Sequence, residues 1–286
     1  MKKIIFILVI SAMSVGLFSI VFGDYEPSPR ARAMGGAYCA VADDAFSIFY
    51  NPAGLSFAGN NILLSYTNRF GNDFEKLNTI GFATHLPAKF GILGIGLQSF
   101  DVDYQNVKLL SEKTYALSHS FTLQKDVHSA IYFGYVFNLY HLSIDGFGNQ
   151  PSLGINIGAL AILHQRTKIG FSVSNLNNPK VGEDNASELP RKLALGISYE
   201  PYSGVITSLE LKKTAGDDET EESGTEIHSG VEVKVHKMLA LRFGVRTNPS
   251  SYSMGARFEI FNILVDYAFN THILGDTHQF GIGYRF

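Results

Sequence analysis

The chain has 286 residues, is 13% aromatic without any tryptophan, and carries 28 glycines. Its formal net charge of -3 excludes the basic footprint that nucleic-acid binding requires. Abundant Leu, Ile, Val and Phe exclude a disordered chain, and a single cysteine, Cys39, excludes an internal disulfide. One large domain or two small ones remain, and the bias toward Tyr and Phe favours many short strands.

The first residues have the layout of a secretory signal peptide. Lys2 and Lys3 form a short positive start, and an almost uncharged apolar run follows as far as Phe22. Cleavage is predicted after Gly23, because small or tolerated residues precede this position and polar residues follow it. The alternative is a retained membrane anchor, since the run approaches the roughly 20 residues that a membrane helix needs. The layout favours export and cleavage.

The segment between the predicted cleavage site and the first strand lacks a strand-like period and is rich in small residues. Asp43 or Asp44 is a candidate cap for one short helix. Asn51 is a candidate cap for a second helix, with Pro52 at its first position and Gly54 near its end. Such a compact segment fits inside the lumen of a barrel as a plug, which we call the hatch.

From about residue 60 onward, apolar side chains alternate with small or polar ones, which is the period of a β-strand. In the last segment His278, Phe280 and Ile282 fall on the predicted lipid-facing side, and Gln279 falls on the other. Similar segments begin near residues 61, 76, 90, 112, 128, 152, 167, 191, 204, 226, 239, 251, 262 and 276. This pattern predicts about fourteen strands of roughly ten residues, an even number that is typical of outer-membrane barrels.

The connections between these segments alternate in length. Tight connections are predicted at 87–89, 124–126, 165–167, 201–203, 236–238 and 261–262. Longer, more polar connections are predicted at 71–75, 103–107, 145–151, 175–190 and 214–225. Short periplasmic turns opposite longer outer loops are typical of a membrane barrel with both termini in the periplasm. A soluble β-sandwich also alternates, but it does not account for these loops together with a signal peptide.

The chain ends on an alternating strand that places Tyr284 and Phe286 on one face. In a closed barrel the final strand pairs with the first, so that no strand edge is left in lipid. By resemblance to barrel proteins that end on an aromatic residue, these two residues are predicted to form the signal for the barrel-assembly machinery. The alternative is a terminal Phe that occurs there by chance.

The hatch contains three short motifs, which are Arg32-x-Met34-Gly35-Gly36-Ala37, Ala42-Asp43-Asp44-Ala45 and Asn51-Pro52-Ala53-Gly54-Leu55. With these motifs the chain resembles the PorV/PorQ-type proteins of the wider FadL-like group of outer-membrane barrels. It departs from their pattern at Ala33, where the first motif usually begins with Gly, and at Cys39, where a small or β-branched residue is expected.

The resemblance implies a fourteen-stranded barrel whose N-terminal hatch fills the lumen. FadL-like members take up hydrophobic compounds, controlled by hatch movement and a lateral opening in the wall. PorV-like members serve the type IX secretion system by shuttling cargo. The resemblance carries a hatch or gating role onto Arg32, Gly35, Gly36, Asp43, Asp44, Asn51, Pro52, Ala53 and Gly54.

Several residues keep two interpretations. Asn51 either gates the lumen or only caps a helix. Arg30 and Arg32 either lie solvated or pair with one of four predicted lumen carboxylates, which are Glu210, Glu232, Glu259 and Asp266. The strand glycines either open the wall through a kink or, as we favour, make room for the hatch; they are Gly91, Gly94 and Gly96. The acidic run 217–222 is more typical of a solvated loop than of a cation site.

These observations predict an all-β fold, a transmembrane antiparallel barrel of about 14 strands. Residues 1–23 are the signal peptide, 24–59 the partly helical hatch and 60–286 the barrel.

Neither a nucleophile–base pair nor a metal-ligand spacing is present, so neither an enzyme nor a cofactor is expected. The predicted partners are outer-membrane lipid, the assembly machinery, and either hydrophobic small molecules or secreted proteins. A gated hydrophobic channel is the first hypothesis, and a non-transporting docking component of a secretion system is the second. A general polar porin is disfavoured, because the hatch occludes the lumen.

Overall fold

The computed structural model describes residues 22–87, 90–105, 107–144, 147–182, 187–215 and 224–286. Most of the predicted signal peptide and the acidic run 217–222 lie outside the described residues. Within these described ranges no helix is long and apolar enough to cross a membrane.

Fourteen strands form one closed antiparallel barrel, which confirms the predicted fold class. They are β1 Asn61–Asn68, β2 Glu75–His85, β3 Ile92–Tyr104, β4 Val107–Lys125, β5 Ser129–Ile144, β6 Phe147–Leu163, β7 Thr167–Ser174, β10 Arg191–Tyr202, β11 Val205–Ala215, β12 Thr225–His236, β13 Leu239–Arg246, β14 Ser251–Ile260, β15 Ile263–Asn270 and β16 Thr277–Arg285. Two further short strands, β8 Lys180–Val181 and β9 Ser187–Glu188, pair with each other outside the barrel. Most barrel strands begin within two residues of the predicted positions.

The barrel closes where the last strand pairs with the first. The β1–β16 register runs from Asn61 opposite Arg285 to Asn68 opposite His278. Closure leaves no strand edge exposed to lipid at this seam. We call the end that carries the tight connections and Phe286 the turn end, and the opposite end the loop end.

Two of the predicted loops are wrong. Polar connections were expected at 103–107 and 145–151, but β3 continues to Tyr104, β4 begins at Val107 and β6 begins at Phe147. Strands β3 to β6 therefore reach 13 to 19 residues instead of the expected ten.

Polar side chains on these strands satisfy one another, which explains why pairing continues beyond the apolar residues. The Asp101 carboxylate accepts hydrogen bonds from Lys108 Nζ at 2.8 Å and from Ser111 Oγ at 2.7 Å. A sequence that turns polar predicts the end of a strand, whereas the backbone ladder continues wherever polar side chains find partners across it.

The two faces of the wall differ in the way that the alternation predicts. In β15, Ile263 and Val265 point outward and are exposed, while Leu264 and Asp266 point into the lumen and are buried. The exposed outer side chains are large and apolar all round the barrel, for example Ile80, Leu117, Phe137, Leu195, Leu209, Phe243 and Phe280. An apolar outer surface on a closed barrel is the surface that a lipid bilayer covers.

The wall is interrupted beside β6 near the loop end. Strand β7 ends at Ser174, so the loop-end half of β6 has no barrel strand on that side. A side chain covers the exposed backbone instead, because Asn177 Oδ1 accepts from Ile155 N at 2.9 Å and Asn177 Nδ2 donates to Leu153 O at 2.8 Å. The following segment turns inward and buries Val181 against lumen-facing aromatic and aliphatic side chains. The described parts of the predicted polar loop, residues 175–182 and 187–190, therefore cover part of the loop-end mouth.

The hatch lies inside the barrel and consists of one α-helix and two 3₁₀ helices. Helix α1 spans Pro29–Ala33 and packs against β13, β14 and β15. The 3₁₀ helices span Ala45–Phe49 and Pro52–Phe57 and pack against β2 to β6. The first described residues lie in the lumen toward the loop end, where Phe22 N donates to Glu112 Oε2 at 2.9 Å.

Candidate functional site

The hatch rests on glycines of the barrel wall. A Cβ atom on Gly158 would lie 2.1 Å from Asn51 Oδ1, and one on Gly244 would lie 2.1 Å from Gly35 N. Carbon atoms do not approach so closely, so only glycine lets the hatch backbone reach these strands. The other lumen-facing glycines in close contact with the hatch are Gly81, Gly94, Gly96, Gly134, Gly170, Gly196, Gly230, Gly255 and Gly281.

Many of these glycines face one another across neighbouring strands. The pairs are Gly81 with Gly96, Gly134 with Gly158, Gly170 with Gly196, and Gly230 with Gly244. Each pair removes two side chains at one place and so makes a shallow depression in the wall. We call these depressions the glycine seat.

For Gly94 and Gly96 the structure supports the favoured interpretation, since both make room for hatch side chains. A Cβ on Gly94 would lie 2.8 Å from Leu55, and one on Gly96 would lie 2.7 Å from Phe49. Strand β3 stays paired with both of its neighbours along its length, so these glycines do not open the wall. Gly91 has φ +87° just before β3, which only a residue without a side chain adopts easily.

A network of buried ion pairs fastens the hatch to β12. Arg30 donates from Nε to Glu232 Oε2 at 2.8 Å and from Nη2 to Glu232 Oε1 at 2.9 Å. Arg242 also donates to Glu232, at 2.6 Å, and binds Asp266, which in turn pairs with Arg257. Glu232 is therefore the carboxylate that joins the hatch to the wall network. Bidentate pairs of this kind are strong and orient both partners.

The other predicted carboxylates take different partners. Glu210 accepts the backbone N–H groups of Tyr38 and Cys39 at 2.8 and 2.7 Å, so it holds the hatch without an arginine. Asp266 pairs only within the wall network, and Glu259 pairs with Arg285 near the surface. Of the two interpretations of the hatch arginines, the solvated one does not hold, because both side chains are buried.

Arg32 fastens the hatch toward the loop end. It donates from Nε to Gln279 Oε1 at 2.6 Å and lies 3.4 Å from the carboxylate of Glu26. Glu26 also accepts from Arg246 of β13 at 2.8 Å. Burial opposes ionisation of Glu26, but Arg246 and Arg32 outweigh it and lower the pKa of this carboxyl. Glu26 thus stays charged and links the hatch to the wall.

The acidic pair of the second motif divides into two roles. Asp44 caps the first 3₁₀ helix by accepting from Phe46 N at 3.0 Å, and it also accepts from Tyr38 Oη at 2.9 Å. Asp43 instead pairs with Arg30. Burial and the neighbouring Asp43 raise the pKa of Asp44, whereas for Asp43 the effect of burial is outweighed by Arg30, which lowers its pKa. Asp43 therefore ionises more readily than Asp44.

The Asn51 side chain forms hydrogen bonds with an earlier segment of the hatch, with strand β6 and with the second 3₁₀ helix. Its Nδ2 donates to Cys39 O at 2.9 Å in the hatch and to Ala159 O at 3.1 Å in β6, while its Oδ1 accepts from Ala53 N at 3.1 Å. The predicted cap is thus present, and the same side chain ties the hatch to the wall. Pro52 lies over Gly134 and Gly158 of the glycine seat.

The remaining hatch glycines allow close packing. Gly35 and Gly36 follow α1 with φ of +65° and +85°, a left-handed turn in which glycine is favoured. Gly54 was predicted near the end of the second 3₁₀ helix, but it lies inside this helix. A Cβ on Gly54 would lie 2.4 Å from Ala42 O, so the close approach of two hatch segments, and not helix termination, requires glycine there. Ala53 is fully buried and its carbonyl accepts from Ser120 Oγ at 3.2 Å.

A cavity of about 120 Å³ lies above the hatch toward the loop end. Its aromatic lining residues are Phe22, Tyr25, Phe49, Tyr50 and Tyr140. Neutral polar groups complete the lining, among them Gln98, Thr114, Asn138, Asn156, Ser174 and Asn175. Four charged residues also line it, which are Asp24, Lys192, Glu210 and Lys212. Because Asn156, Ser174 and Asn175 flank the interrupted wall, the cavity adjoins the only break in strand pairing within the described barrel.

A second cavity, of about 520 Å³, lies below the hatch toward the turn end. It is lined by Arg30, Asp43, Phe57 and Ala58 of the hatch, by residues between the start of β11 and the end of β14, and by Arg285 of β16. The hatch thus separates two cavities, each facing one end of the barrel.

The predicted C-terminal signal residues lie on the outer face, away from the hatch. Tyr284 and Phe286 are exposed, and Phe286 N donates to Asn60 O at 3.1 Å, which ties the chain end to the start of β1. Their role in assembly stays a prediction.

Sequence reasoning located every hatch motif but missed most of the wall residues that hold the hatch. The glycine pairs become visible only when strand register is known, since paired glycines are far apart in the sequence. Arg242, Arg257 and Gln279 carried a signal that was not used, because a buried charge or amide on the lumen side of an alternating strand requires a partner.

No protein family model matches the sequence, and no curated protein matches it. Solved structures share its fold. A Pseudomonas aeruginosa FadL homologue has a TM-score of 0.63 at 12% identity, covering 90% of this chain and 97% of its own. The monoaromatic hydrocarbon channel CymD has a TM-score of 0.61 at 13% identity, and the match covers 90% of this chain and 97% of CymD. The Pseudomonas putida toluene transporter TodX has a TM-score of 0.58 at 12% identity, and the match covers 88% of this chain and 95% of TodX. At these identities the likeness establishes the fold alone, which this chain shares with FadL-type outer-membrane barrels.

Proposed function

We propose that this chain is a hatch-gated outer-membrane channel for small hydrophobic molecules. The observation that carries the proposal is the loop-end cavity, which has aromatic side chains around it and adjoins the interrupted wall. An apolar cavity of about 150 Å³ holds one benzene molecule, so by volume alone a cavity of about 120 Å³ suits a ligand of similar size. The structural neighbours named as channels for toluene and monoaromatic hydrocarbons support this choice.

The path that we propose runs from the interrupted wall into the loop-end cavity and then past the hatch. Hatch displacement is the gating step, because the hatch separates the two cavities. We further propose that residues 1–23 are removed on export and that the turn end faces the periplasm, as expected for short turns.

The proposal is tested by uptake of labelled toluene and of a labelled long-chain fatty acid. The full chain is expressed in a bacterium whose outer membrane contains lipopolysaccharide and lacks a native channel for either compound. Uptake is normalised to the amount of folded barrel in the membrane. We expect uptake above that of cells without the protein, and faster for toluene because of the small cavity.

Asn51→Ala is expected to accelerate this uptake about three- to tenfold. The substitution removes the hydrogen bond to Ala159 O that holds the hatch to β6 and the one to Cys39 O within the hatch, each worth about 0.5–1.5 kcal/mol. Asn78→Ala, on an exposed outer position of β2, is the matched control and should leave uptake unchanged. Equal rates in both variants would contradict a gating role for Asn51.

The second candidate is a non-transporting docking component of a secretion system. It is favoured by the number of buried charged groups that fasten the hatch, since a permanently closed lumen has no need of a release mechanism. A well-folded barrel without flux of either compound, in the wild type and in Asn51→Ala, would select this alternative.

A further inference from the structure

The turn-end cavity carries an excess of positive charge. Its basic lining residues are Arg30, Lys234, Lys237, Arg242, Arg257 and Arg285, twice as many as its acidic ones, which are Asp43, Glu232 and Glu259. Asp266 lies behind this lining and binds two of the arginines. Lys234 and Lys237 are exposed, and neither forms an ion pair with another described residue. A concave surface with such an excess attracts anions.

Arg30 offers an anion a specific place in this cavity. Its side chain is 5% exposed, and its guanidinium is shared between two carboxylates, Glu232 of the wall and Asp43 of the hatch. Glu232 is 4% exposed, but Asp43 is 31% exposed and lines the cavity. A carboxylate that enters the cavity can therefore replace Asp43 on Arg30 Nη1 without disturbing the bidentate pair with Glu232.

The chemistry of this place selects the ligand class. The group already bound there is a carboxylate, so another carboxylate reproduces its geometry. Apolar side chains line the same cavity and suit a hydrocarbon part, namely Phe57, Ile206, Met238 and Leu239.

We propose that the turn-end cavity binds a small organic carboxylate, which competes with Asp43 for Arg30 and thereby loosens the hatch. Binding itself is independent of the proposed function, whereas the loosening of the hatch rests on it. Asp43 acts here as an internal competitor that keeps the hatch closed until the ligand arrives.

Binding is measured by isothermal titration calorimetry on the full detergent-solubilised barrel, with benzoate as the probe and benzyl alcohol as its uncharged match. We expect saturable benzoate binding that weakens as salt is added, because ions screen the exposed lysines. The Lys234→Gln/Lys237→Gln double variant should bind benzoate about fivefold more weakly. Lys125→Gln, at another turn of the same end, is the control and should bind like the wild type.

Asp43→Asn and Glu259→Gln separate competition from a simple gain in positive charge. Both variants remove one carboxylate from the cavity lining, but only Asp43→Asn frees Arg30. We expect benzoate affinity to rise about tenfold in Asp43→Asn and less than about threefold in Glu259→Gln. Hydrogen exchange of hatch amides 38–47 should accelerate when benzoate is added to the wild type.

Equal affinity for benzoate and benzyl alcohol, or equal gains in the two carboxylate variants, would overturn the inference even if the barrel transports toluene. If the lysine double variant bound benzoate as tightly as the wild type, the assignment of the cavity would also fail. Conversely, a barrel that binds benzoate as described but shows no uptake of hydrophobic compounds would retain the carboxylate site and lose the channel.

Discussion

Gly158→Val is expected to displace the hatch and raise the conductance of the barrel in planar bilayers about tenfold or more. A valine side chain cannot share the place now occupied by Asn51, since even a Cβ would lie 2.1 Å from Asn51 Oδ1. Overpacking of this kind costs about 1–3 kcal/mol, and each 1.4 kcal/mol shifts the closed-to-open ratio tenfold. The strand itself should tolerate valine, which favours β-structure more than glycine does.

Ala159→Val is the matched control for this experiment. It adds branched carbon atoms to the neighbouring position of the same strand, but on the face that points away from the hatch. Conductance should stay at the wild-type level in Ala159→Val. A folded Gly158→Val barrel that remains as closed as this control would contradict the role of the glycine seat.

Glu232→Gln is expected to accelerate hydrogen exchange of hatch amides by more than about a hundredfold. The substitution keeps the shape of the side chain but removes the charge that Arg30 and Arg242 share inside the lumen. Breaking a buried ion pair by removing one partner costs about 3–5 kcal/mol. Because Arg30 keeps Asp43 and Arg242 keeps Asp266, we expect a loss near the lower end of this range. Exchange rates of the α1 amides report this loss directly.

The control for this prediction is Glu259→Gln at the same end of the barrel. Glu259 is paired with Arg285, but the two side chains are 34% and 45% exposed. Exposed pairs contribute about 0–1 kcal/mol, so hatch exchange should change less than about fivefold. Similar acceleration in both variants would show that the buried network does not hold the hatch.

The barrel was predictable because its pattern is local. Alternation along each strand depends only on which face meets lipid, so the strand starts near 61, 167, 239 and 251 coincide with the observed ones. The extension of β4 and β6 was not predictable, because it depends on polar partners across strands, such as Asp101 with Ser111. Such side-chain pairs depend on the register between neighbouring strands, which cannot be read from the sequence.

The site was predictable only on the hatch side. The residue types of Asp44 and Asn51 and of their neighbours predict helix caps, and both caps are present. The wall side is a long-range property, since Arg30 and Glu232 lie 202 residues apart. The sequence offered four carboxylates as partners for the hatch arginines, and only the folded barrel separates Glu232 from the others.

Ser172→Cys provides the most direct test of the central claim, which is that hatch movement gates the channel. Ser172 Oγ of β7 lies 3.7 Å from Sγ of Cys39 in the hatch, so a second thiol there is close enough for a disulfide between hatch and wall. Toluene uptake into outer-membrane vesicles is measured in the oxidised and reduced states, with the disulfide verified by mass spectrometry. Wild-type protein, which has Cys39 alone, controls for the oxidant.

We predict that uptake by Ser172→Cys stops on oxidation and returns with reductant, while the wild type transports equally in both states. Uptake that continues unchanged with the hatch cross-linked to the wall would contradict the account, because the ligand would then pass without hatch movement.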